Sequence, residues 1–219
     1  MKTHRLTLPV TADDLKPLRP GDVVYLNGVL YTGREGLYRR WLDEGLAPPL
    51  DLARISNANF HCSPAASVAA DGTARLGAVT ATASFRFSKW IGRFLDLSQA
   101  RIVIGKGGMA ERDYRDHFVP HQAIYLTTVG YGAGALLGRG VRRVQGVHWL
   151  EELGIAQAIW VLEVAEFGPF LVESDLEGRS LFAEQSRRID QGIDALYAGL
   201  KPPALGRFGE CVERWKEIL

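Results

Sequence analysis

The chain has 219 residues, with 26 Lys+Arg against 25 Asp+Glu and only two cysteines. At 47% hydrophobic and 23% charged it has an ordinary globular composition, which excludes a disordered chain, a collagen-like repeat and a disulfide scaffold. A net charge of +1 gives no support to nucleic acid as a partner but leaves room for a local basic site that binds a small anion. Cys62 and Cys211 are too few thiolates for a four-Cys zinc site or an iron–sulfur cluster.

Met1 to Val10 has no apolar signal core, and no stretch approaches the ~20 apolar residues of a membrane span. A cytoplasmic enzyme or enzyme subunit, with no membrane contact, is the expectation. Thr11 before Ala12-Asp13-Asp14 reads as a helix N-cap with acids in the first turn. Val23 to Leu26 and Val29 to Thr32 read as two strands of a hairpin turning at Asn27-Gly28. Leu37, Trp41 and Leu42 share a helical face within 34–44, and Gly45 ends that helix.

Asn57 to Cys62 reads as a strand, Asp71-Gly72 as a turn, and the stretch from Leu76 to Thr82 leads into a helix over 85–95. Arg101 to Ile104, Ala123 to Val129, Val141 to Trp149, Ile159 to Val164 and Phe170 to Val172 read as further strands. Helices are predicted over 110–117, 181–200 and 207–219. The alternation of strands and helices predicts one α/β domain with a mixed sheet over 1–219, carrying a helical tail from about 181. The amphipathic end of that tail, Gln191 to Leu219, fits an interface and a helix packed on its own domain equally well.

Several motifs carry chemistry. Gly105-Lys106-Gly107-Gly108 stands between a strand and a helix, where exposed backbone N–H groups and a lysine suit an anion. It lacks the spacing of a P-loop. Gly130-x-Gly132-x-Gly134 misses the dinucleotide spacing, and close helix–sheet packing explains it better. Arg34 at a strand end and Arg86 after Thr82-Ala83-Ser84 are potential carboxylate forks. The hydroxyls of Thr82 and Ser84 either cap a helix or face a substrate. His61 either faces a cleft or is a satisfied structural histidine.

Taken in order, five segments resemble the β subunits of two-subunit iron–sulfur hydro-lyases. These are class I fumarases and, more closely, L(+)-tartrate dehydratases. The carriers are Gly21-Asp22-Val23-Val24-Tyr25-Leu26-x-Gly28 with Tyr31-Thr32-x-Arg34; Val103 to Met109; Val147-His148-Trp149; Ala158 to Val161; and Glu166 to Pro169. The resemblance runs from Leu8 to about Ile189. It implies a swivelling β/β/α domain, a hydroxy-acid dehydration, and a 4Fe-4S cluster held by three cysteines of a partner α subunit, with αβ and α2β2 stoichiometries both open. By motif position it implies substrate binding by Arg34, Arg86, Lys106, Gly105 and Gly107, and catalytic hydroxyls at Thr82 and Ser84. In such a site an open iron would draw off the leaving hydroxyl.

The chain departs from the family pattern at Ala83, at Gly77 to Ala81, at Ser63-Pro64 and at Tyr38, which takes the place of a histidine. A kept scaffold with an altered pocket points to a related hydroxy acid other than tartrate or fumarate itself, with a less polar arm. The alternative is a non-catalytic accessory domain of the same fold.

Overall fold

The structure, a computed structural model, describes residues 1–130 and 133–199. The chain divides into two units, Met1–Ala183 and the part from Glu184 onward. The first unit carries nine strands: β1 Thr3–Thr7, β2 Val23–Thr32, β3 Ala58–Phe60, β4 Cys62–Val68, β5 Ala74–Ala81, β6 Ile102–Gly105, β7 Ile124–Thr128, β8 Val141–His148 and β9 Ile159–Ser174. The helices are α1 Ala12–Leu15, α2 Glu35–Tyr38, α3 Leu52–Ile55, α4 Ser88–Ser98, α5 Glu111–Asp113, α6 Gly134–Gly140, α7 Leu150–Leu153 and α8 Leu181–Tyr197. Two π-helical turns, Arg39–Asp43 and Tyr114–Phe118, extend α2 and α5.

Strands β1, β2, β3, β6 and β7 run parallel to their neighbours, and β9 runs antiparallel to β7, β8 and β2. Because β9 pairs with β7 on one side and β2 on the other, β2-β3-β6-β7-β9 close a ring. Alternation along each strand then divides its side chains between two layers. Ile102, Ile104, Ile124, Leu126, Phe60, Trp160, Phe167 and Phe170 fill one core. Val103, Tyr125, Tyr31, Ile159 and Val161 point the other way, against Tyr38, Phe87, Trp90, Ile91 and Phe94 of the helical layer. Strands covered on both faces read as unbroken apolar runs, as Ile102-Val103-Ile104 does. Each such fully buried Ile or Phe contributes about 2 kcal/mol of transfer free energy.

Thr11 caps α1 as expected, in a reciprocal capping box with Asp14. The Asn27-Gly28 hairpin does not form, and 23–32 is one continuous strand. Gly28 has φ +108°, and a Cβ there would meet the Leu8 carbonyl oxygen at 2.7 Å. The glycine admits the crossing chain rather than a turn. Asn27 Oδ1 accepts from the Glu166 N–H at 2.9 Å, so the pair joins β2 to β9 at shifts in their register. The strands expected over 159–164 and 170–172 are likewise one element, β9, which passes through Glu166 at φ 47° and Gly168 at φ 157° without breaking. Asp71-Gly72 is the true hairpin turn, joining β4 to β5.

Gly138 of α6 lies against the Gly77 carbonyl of β5 so closely that a Cβ would overlap it, and Gly140 lies against Phe167. In the glycine-rich step itself, a Cβ on Gly134 would come 3.1 Å from Thr80 Oγ1 and 3.3 Å from the Val79 carbonyl of β5, so that glycine serves packing, whereas Gly130, at φ +72°, meets open space. In the second unit, Glu184 and Arg188 of α8 form an ion pair one turn apart at 2.6 Å. The helix predicted over 207–219 lies outside the described residues. Among the described residues no helix is long and apolar enough to cross a membrane.

Candidate active site

Parallel strands align their carboxyl ends, and ligands of α/β sheets gather at that edge. Arg34 follows the end of β2, His61 and Ser63 follow β3, and Lys106 follows β6. The β4–β5 hairpin then returns the chain to the same edge. There the Thr82 N–H donates to the His61 carbonyl at 2.7 Å, and the Lys106 N–H donates to the Thr82 carbonyl at 3.1 Å. The Ser84 N–H donates back to the Lys106 carbonyl at 3.1 Å, completing a parallel bridge between Ala83 and Lys106. Two segments more than twenty residues apart are so locked side by side.

Arg34 is half-buried at the N-cap of α2. Its Nη1 donates to Ser63 Oγ and, at 3.1 Å, to the Ala156 carbonyl. Ser63 Oγ also donates to that carbonyl at 2.9 Å, so a short clamp fixes the guanidinium. Its Nε is buried with no hydrogen-bond partner among the described residues. Burial lowers the pKa of Arg34, and the like charge of Arg86 lowers it further, against the smaller opposing effects of Cys62 and Glu35. Arg86 is exposed, its guanidinium 5.5 Å from the Phe87 ring. Among the described residues neither arginine has an ion-pair partner.

Lys106 is half-buried and lines a small hollow with Thr80, Thr128, Gly130 and Gly134. Gly105 is buried. A Cβ on it would overlap the Ser84 Oγ and the Tyr125 hydroxyl. Gly107 has φ +77° with open space around it, a conformation glycine adopts without strain. Thr82 is half-buried. A larger cavity of about 670 Å³ lies elsewhere, between the hairpin tip and β8, and is lined by none of these residues.

Ser84 lies differently from the other candidates. It is fully buried, and its hydroxyl points inward. The Tyr125 hydroxyl donates to Ser84 Oγ at 2.6 Å, and Ser84 Oγ lies 2.7 Å from His61 Nδ1. His61 Nε2 lies 2.6 Å from the Tyr38 hydroxyl, which donates to Asn59 Oδ1 at 3.4 Å. Burial pulls the His61 pKa down to about 3, so the ring is neutral. Assigning the proton to Nε2 satisfies every member of this chain, with Nδ1 accepting from Ser84 and Tyr38 donating onward to Asn59. His61 is therefore a satisfied structural histidine. Tyr38 sits in the core, stacked 5.8 Å from Trp90, so that departure changes packing and not the surface a ligand would meet.

Other contacts at this edge had no signal in the sequence. Ser63, Ala156 and the Gln157 side chain, which accepts from the Gly36 N–H at 2.9 Å, reach Arg34 and α2 from distant segments. Beneath the loop, the Met109 N–H donates to the Tyr114 hydroxyl at 2.8 Å. Among the described residues no group of three or more His, Cys, Asp or Glu is placed to hold a metal. Cys62 is buried, and burial raises its thiol pKa far from the thiolate range. These residues do not fit an iron–sulfur cluster, which needs several thiolates.

The chain as a whole has recognisable relatives. A sequence model of the family described as Fumarase C-terminus matches residues 1–185, and the chain belongs to that family. It is 33% identical over 191 residues to the L(+)-tartrate dehydratase subunit beta of Escherichia coli K12, covering 87% of this chain and 92% of that one. A Methanocaldococcus jannaschii protein named for the same subunit is 32% identical over 190 residues, covering 85% of this chain and 95% of the relative. A Geobacillus stearothermophilus protein named for class I fumarate hydratase is 32% identical over 176 residues, which are 80% of this chain but 33% of that longer protein.

Proposed function

We propose that this chain is the β subunit of a two-subunit hydro-lyase that reversibly dehydrates a small hydroxy-dicarboxylate of the tartrate or malate type. The observation that carries the reading is the placement of Arg34 and Arg86 at the ends of segments that meet at this edge, neither with an ion-pair partner among the described residues. Uncompensated guanidiniums at one edge favour an anionic ligand. The tartrate dehydratase and class I fumarase relatives support the same chemistry.

In this reading Arg34 orients one carboxylate. Arg86 and Lys106 receive the other and stabilise the negative charge that grows on it as the neighbouring carbon loses its proton. The amides around Gly105 and Gly107 add dipoles to the same anion. Thr82 Oγ1 is the hydroxyl assigned to the proton relay. Ser84, with its hydroxyl turned into the core, supports that segment instead of touching substrate. The cluster is assigned to a partner α subunit, and the β subunit swivels over it as the lid of a shared site.

The test is co-expression with the α subunit that this reading expects a neighbouring reading frame to encode. A brown, oxygen-sensitive complex that dehydrates a hydroxy-dicarboxylate supports the reading. A complex that assembles and turns over no hydroxy acid supports an accessory domain. A colourless monomer contradicts the subunit reading altogether.

A further inference from the structure

We infer that the buried Tyr125–Ser84–His61 chain is a positioning device that fixes the register between the Thr82 and Lys106 segments. This rests on the proposed hydro-lyase reading for its catalytic consequence, but its structural part stands alone. Three observations carry it. The Ser84 backbone donates to the Lys106 carbonyl, while the Lys106 N–H donates to the Thr82 carbonyl. The Ser84 side chain is tied from both sides, by Tyr125 at 2.6 Å and His61 at 2.7 Å. Gly105 leaves out the Cβ that would occupy the space where both hydroxyls meet.

The anchors come from different strands. Tyr125 is on β7, His61 follows β3, and Tyr38, at the other ring nitrogen of the imidazole, ends α2 behind Arg34. One line of hydrogen bonds so ties the segment bearing Thr82 and Arg86 to the helix that Arg34 caps. A shift of one would be transmitted to the others through a packed core that does not deform continuously. None of Tyr125, Ser84 or His61 is exposed, so none can touch substrate without the fold opening. Their effect on catalysis has to run through Thr82 and Lys106.

The test compares Tyr125→Phe, Ser84→Ala and the double variant in the full chain and in the co-expressed complex, with Tyr31→Phe as the control. Tyr31 is a buried tyrosine on the same layer whose hydroxyl takes no part in the Tyr125–Ser84–His61 chain. In the isolated full chain, residue-resolved hydrogen exchange should speed by about tenfold or more at the Ser84 and Lys106 amides in Tyr125→Phe, with Val103 in β6 unchanged. In the complex, kcat should fall by about tenfold or more with KM within about twofold, because misplaced groups lose rate before they lose binding. The double variant should lose no more than either single one, as expected for members of one network.

Unchanged exchange at Ser84 and Lys106 overturns the inference. So does a Ser84→Ala loss far larger than that of Tyr125→Phe, which would mean the serine acts on substrate itself. Equal kcat losses in Tyr31→Phe and Tyr125→Phe at matched stability would reduce the effect to general packing and overturn it too. A wild-type complex with no hydroxy-acid turnover removes the hydro-lyase reading, and the exchange rates still decide whether the pin exists.

Discussion

The Lys106 backbone N–H donates to the Thr82 carbonyl at 3.1 Å. That bond, with the return bond from the Ser84 N–H to the Lys106 carbonyl at 3.1 Å, joins the glycine-rich loop after β6 to the segment that carries Arg86. It explains why residues from separate stretches of sequence form one cationic edge. Arg34 reaches the same edge from β2, held there by Ser63 and the Ala156 carbonyl.

If Arg34 binds a carboxylate through its planar fork, charge alone will not replace it. Arg34→Lys should raise KM by about tenfold or more, since a lysine loses the second donor and the contact with Ser63. Steady-state kinetics of the complex checks this. An unchanged KM would mean that Arg34 serves only to anchor α2.

The two loop glycines should behave differently. Gly105→Ala drives a methyl group into the Ser84 and Tyr125 hydroxyls, and overpacking of this kind costs about 3 kcal/mol. Gly107→Ala meets open space and costs only the left-handed backbone penalty, about 1 kcal/mol. Urea unfolding of both variants measures the contrast.

His61 gives the fold an acid sensitivity. Its pKa is about 3 when folded against about 6.5 when unfolded. Below that unfolded value the unfolded chain takes up a proton that the folded one refuses. Stability from this residue is therefore lost as pH falls, by about 1.4 kcal/mol per unit and about 2 kcal/mol by pH 5. His61→Gln should flatten that part of the stability profile relative to wild type. Thermal melts across the acid range read it directly.

Glu173 acts in the opposite sense. It is fully buried on β9, accepting from the Ser180 hydroxyl at 2.6 Å. Burial raises its pKa, and the Ser180 bond opposes that only in part. A raised carboxyl contributes stability at low pH that is lost as pH rises from its unfolded value through its folded one. Glu173→Gln, which keeps the acceptor, should gain stability relative to wild type as pH rises above the ordinary carboxyl value of 4.5. A constant difference over that rise would mean Glu173 is already ionised in the fold.

Elements that satisfy their own local rules were readable in the sequence. The apolar run over 101–104 became β6, and the capping pattern at Thr11 became α1. Elements defined by a distant neighbour were misread. Asn27-Gly28 has the composition of a turn, but Leu8, nineteen residues before Asn27, decides its conformation. Glu166 to Pro169 reads as a break, yet pairing with β2 and β7 carries β9 through it. Strand β1 gave no signal because Leu6 is its only buried residue.

The site divided the same way. Arg34, Arg86 and Lys106 were visible as charges beside glycines or hydroxyls at strand ends. Ser84 looked equivalent to Thr82, and only the positions of Tyr125 and His61 reveal that it faces inward. Ser63 and Ala156 lie ninety-three residues apart and meet only in the fold.

The most direct test of the account is the turnover of hydroxy-dicarboxylates by the co-expressed complex carrying Lys106→Ala beside the unaltered one. Removing a cation that stabilises developing charge should cost about 10² to 10³ in kcat, while the variant β subunit still co-purifies with its α partner. A Lys106→Ala complex that keeps the wild-type rate would contradict the assignment of this edge as the substrate site.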